Sequence, residues 1–115
     1  MDIKIVKHRI SVEELDKLAQ ESFIDMTKAV VDVEQKIMAV GGEWHADAEE
    51  VLLKAGSAQA NLWGINIYPG RSPDAWIEFD SMVNLKPSLG NRSRNVENPE
   101  IREKIKKIAA KLILV

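Results

Sequence analysis

The sequence contains no cysteine, which removes disulfides, thiol nucleophiles and thiolate metal sites, and with them zinc ribbons, thioredoxin chemistry and cysteine hydrolases. Long apolar runs are missing as well. The stretch 108–112 is interrupted by Lys111 and falls far short of the roughly 20 apolar residues that a bilayer crossing needs. Met1, Asp2, Ile3 and Lys4 open a strand pattern rather than a signal peptide, so a cytoplasmic location with no membrane partner is the expectation. Nor is there an excess of positive charge. A net charge of −2 argues against general coating of nucleic acid, although it allows a local basic patch.

What is present fits one α+β domain over residues 1–115, with 45% hydrophobic and 30% charged residues. Ile3 and Ile5 mark a short first strand. Ser11 with Glu14 forms a capping box that opens a helix, whose apolar stripe runs through Leu15, Leu18, Ala19, Phe23 and Met26. Residues 29–40 alternate with a period of two and read as one long strand, placing Val31, Val33, Ile37 and Ala39 on one face until Gly41 and Gly42 break it. Asp47 reads as the cap of a short helix ending at Gly56. Residues 62–68 and 76–85 read as two further strands joined by a Pro/Gly turn, and Asn98 with Pro99 opens a last helix striped by Ile101, Ile105, Ile108 and Leu112.

This order predicts a two-layer sandwich, with a four-stranded, mostly antiparallel sheet carrying two long helices on one face and a short extra helix. The other face would then display Asp32, Glu34, Asn66, Tyr68, Glu78, Asp80 and Asn84, with Trp76 and Met82 among them. Aromatic and apolar side chains there predict a partner surface, and a homodimer formed through it. Base stacking is disfavoured because the same face is acidic.

Three constellations carry chemistry. Gly90, Asn91, Arg92, Ser93 and Arg94 combine two guanidinium forks, a hydroxyl and a glycine shortly before a helix, a set suited to a small anionic ligand or an acidic group of a partner. The bland alternative pairs the arginines with Glu78, Asp80 or Glu97. Glu43, His45 and Asp47, if extended, point the same way, and with Asp80 they could form an acid or metal cluster for metal-assisted hydrolysis. Against this, a capping Asp47 has its carboxylate on backbone N–H groups. Asp32, Glu34, Glu78 and Asp80 share a face, a carboxylate row that binds a hard cation or is simply solvated. No cofactor is implied.

With the segments GGEWHAD at 41–47, NLWGINIYP at 61–69, WIEFDSMVN at 76–84 and GNRSR at 90–94 in view, the chain resembles a small prokaryotic family known only as a domain of unknown function. That resemblance covers nearly the whole chain. It implies one compact cytoplasmic domain and assigns no catalytic or binding residue.

Overall fold

A computed structural model describes residues 2–115. Among these residues the main sheet has five strands, all antiparallel, in the order β1-β4-β3-β5-β6 (β1, Ile3–Val6; β3, Thr27–Asp32; β4, Ile37–Gly41; β5, Leu62–Ile67; β6, Ile77–Glu78). A second, parallel pair joins β2 (Ile10–Ser11) to β7 (Ile113–Leu114). The helices are α1 (Val12–Glu21), α2 (His45–Lys54) and α3 (Pro99–Leu112).

The α+β class holds, but its details differ from the sequence reading in four places. The expected long strand 29–40 is a hairpin, which makes the sheet five-stranded and not four-stranded. Asp32 makes the turn: its Oδ1 accepts the Glu34 and Gln35 N–H groups, each at 2.9 Å, and Lys36 takes a left-handed conformation at φ 59°. Reversal at this turn pairs Asp32 with Ile37 and Val31 with Met38, so Ile37 and Ala39 face opposite to Val31. The expected strand 76–85 is extended only at Ile77 and Glu78; Met82–Asn84 coils into a 3₁₀ turn capped by Ser81 Oγ on the Val83 N–H. Asp47 is not a cap either. Helix α2 starts at His45 with Trp44 in the cap position, leaving Asp47 in the first turn, where its charge suits the helix dipole.

The fourth difference concerns the layers. Helices α1 and α3 lie on one face, where Leu15, Ile105 and Ile108 pack with Val31, Met38, Val40, Trp63, Ile65 and Ile67. Helix α2, as long as α1, covers the other face, where Ala48 and Leu52 pack on Val30, Ala39 and Leu62. The face expected to be open is therefore largely covered. Trp76 belongs to the α1/α3 core, and Asp32, Asn66 and Asn84 are buried.

Two of the helix starts follow from the sequence. Ser11 Oγ accepts the Glu14 N–H, while Glu14 itself turns to Lys4 at 2.6 Å instead of closing the box. Asn98 Oδ1 accepts the Glu100 N–H, with Pro99 at the first helical position.

Candidate functional site

The loop 90–94 is bound up in the protein's own polar groups. Gly90 adopts φ 81° and closes a 3₁₀ turn, which delivers Asn91 into the interior. Asn91 Nδ2 donates to the carbonyls of Asn84 and Asn95, each at 2.7 Å, and of Ser93 at 3.1 Å, and its Oδ1 accepts the Glu97 N–H. The Glu97 carboxylate accepts the Arg92 N–H at 3.0 Å and the Ser93 hydroxyl at 2.8 Å. An internal anion thus sits where an external one was expected. Arg94 Nε donates to Asp80 Oδ1 at 2.6 Å.

The second constellation lies on the α2 side of the sheet. Lys28, Asn66 and Glu78 stand directly opposite one another across β3, β5 and β6. Asn66 Nδ2 and the Tyr68 hydroxyl both donate to Glu78 Oε1, at 2.8 and 3.2 Å. His45, at the start of α2, is buried over this row, and its Nε2–H donates to the Ile65 carbonyl at 2.8 Å, leaving Nδ1 without a proton. Burial holds the imidazole neutral, down to about 4, aided by Lys28 and opposed by the Ile65 carbonyl, Asn66 and Asp80. Burial also lowers the pKa of the Lys28 ammonium, with Asp80 opposing.

Because 45–47 is helical, Glu43, His45 and Asp47 do not share an extended face, and Glu43 and Asp47 are exposed. Among the described residues no three His, Asp or Glu side chains come together as a metal-binding group. Of the carboxylate row, Asp32 is a turn former held by Ser57 and Gln35, Glu34 is exposed in the β3–β4 turn, and Glu78 and Asp80 have the partners named above.

A concavity of a different kind lies elsewhere. An open cleft of about 1230 Å³ runs between α3, the β3–β4 turn and the segment that follows β1. Its floor is aliphatic, from Val33, Ile108 and Leu112. Its walls are cationic: Lys7 and Arg9 after β1, Lys36 in the turn, and Lys104, Lys107 and Lys111 along α3, with His8 beside them and Glu34 as the sole carboxylate. Among the described residues the ion pairs are Lys4–Glu14, Lys54–Glu50, Arg94–Asp80 and Lys106–Glu103, so none of the six cleft cations is paired. The six cations and Glu34 sum to +5, which leaves −7 on the rest of a chain of net charge −2.

The cleft leaves only a faint trace in the sequence. The available signal was the spacing of Lys104, Lys107 and Lys111, which repeats at three and four residues beside the Ile108 and Leu112 stripe. Lys7, Arg9 and Lys36 join that stripe only through the tertiary fold.

An α+β domain with a basic cleft against its last helix is thus the class of protein that the fold and site define. The chain matches, over residues 4–112, the family described as a protein of unknown function (DUF5674), and it belongs to that family. No curated protein and no solved structure matches it. No helix among the described residues is long and apolar enough to cross a membrane.

Proposed function

We propose that this is a small anion-binding protein whose site is the basic cleft. One observation carries the reading: six Lys and Arg side chains converge on one concavity with no carboxylate paired to any of them among the described residues. Like charges gathered round an aliphatic floor repel one another, and an anion in the cleft would relieve that repulsion. The sequence assigned the same ligand class to residues 90–94. Occupation of that loop's N–H and O–H donors by Glu97 favours the cleft instead. Metal-assisted hydrolysis at His45 and Asp80, and homodimerisation through the sheet, gain no comparable support.

Titration calorimetry with inorganic triphosphate tests the proposal. Binding at 20 mM NaCl is expected to weaken at 200 mM, and to be lost in Lys107→Glu and Lys111→Glu but retained in Lys17→Glu on α1. Absence of binding to the wild type, or equal loss in all three variants, would sink the proposal.

A further inference from the structure

Resting on that reading, we infer that the cleft takes the phosphodiester backbone of a single nucleic-acid strand. The first argument is the arrangement of charge. From Lys104 to Lys111 helix α3 rises about 10 Å, a distance over which one strand presents about two to three phosphates. Lys7, Arg9 and Lys36 face that row from the other walls. Cations on several walls of a trough suit a linear polyanion lying along it, with phosphates reached from more than one side.

Shape narrows the choice. A concave site cannot bring all of its cations onto a flat anionic membrane at once, and a cleft of about 1230 Å³ is small beside a duplex whose major groove alone is about 12 Å wide. The rest of the chain carries a net −7, which favours approach of a polyanion to this cleft over the remaining surface. The cleft lining includes no Phe, Tyr or Trp, and His8 is the one ring in it on which a base could stack. Recognition therefore rests mainly on the backbone, which makes binding nearly indifferent to base sequence and steep in salt.

The experiment is fluorescence anisotropy of the full chain with a fluorescein-labelled 12-nucleotide oligo(dT), at NaCl from 20 to 200 mM. Binding is expected, with log K falling against log[NaCl] at a slope near −2, about 0.7 for each of roughly three phosphates. Lys107→Glu/Lys111→Glu should weaken it at least tenfold with the circular dichroism spectrum unchanged, and unlabelled strands of other base composition should compete equally. Lys7→Glu, on a different element, provides the same test should the double variant fail to fold. Triphosphate binding without oligonucleotide binding would overturn this inference while leaving the anion-binding reading in place, and failure of both ligands would overturn both. Preference for duplex of equal length, or equal cleft-dependent binding to phosphatidylserine vesicles, would also overturn it.

Discussion

Asn84 pairs with Gly64 as a strand residue would, but through its side chain. Its Oδ1 accepts the Gly64 N–H at 2.8 Å and its Nδ2 donates to the Gly64 carbonyl at 3.0 Å and to the Arg94 carbonyl at 2.9 Å. Asn84 is itself fully buried, and both of its bonds to Gly64 are shielded from water, while the one to Arg94 is half-buried. One amide thereby ties β5, the 3₁₀ turn at 82–84 and the loop before α3 together.

Asn84→Ala strips partners from two carbonyls and one N–H at once, which should cost about 3–5 kcal/mol. Asn84→Asp keeps the acceptor, loses the donor and buries a charge, so at pH 7 it should destabilise at least as much. Urea unfolding measures both. A loss below about 1 kcal/mol in the alanine variant would mean that water replaces the amide.

Gly64 is required by closeness of approach. A Cβ there would overlap the side chain of Ser81 and crowd the His45 ring. Gly64→Ala is expected to cost about 1–3 kcal/mol, and Ser81→Gly in the same chain should recover part of it as a coupling of roughly 1 kcal/mol. Strict additivity in thermal or urea melts would contradict the contact.

Acid should destabilise the fold in two windows. The His45 pKa is depressed from 6.5 to about 4, so below pH 6.5 the unfolded chain binds a proton that the folded one refuses. Stability is complete above 6.5 and declines as pH falls toward 4, by up to about 3 kcal/mol. Burial raises the Asp32 pKa, but bonds from the Gln35 backbone, Ser57, the Gln35 side chain and Glu34 outweigh it and lower the pKa from 3.8. Its contribution is present above 3.8 and fades below. His45→Gln should flatten the upper window and leave the lower one intact. An unchanged slope between pH 6.5 and 4 would show that another group titrates there.

The sequence patterns were readable where local chemistry and tertiary packing agree. Ser11, Asn98 with Pro99, and the strand read at 62–68 belong to that group. At Asp32 the alternation ran straight through a reversal, because neither glycine nor proline marks the turn and an aspartate side chain forms it. At 76–85 alternation suggested pairing that the Asn84 amide supplies in place of a backbone. The loop 90–94 was correctly seen as dense in polar groups, but the partner that fills it, Glu97, lies only a few residues on. The basic cleft draws on three segments far apart in the chain, and no periodicity within one element can show such convergence.

The pairing of β2 with β7 has a consequence for the order in which the molecule becomes competent. Ile10 and Ser11 find their strand partners only in Ile113 and Leu114, just beyond α3. Three of the six cleft cations, Lys104, Lys107 and Lys111, come from that same late stretch. While the chain is still being synthesised, its early segments carry Lys7, Arg9 and Lys36 with no opposing wall. The cleft is therefore incomplete until α3 has docked and β7 has paired with β2, and a chain cut before Pro99 would lack half of the cleft cations.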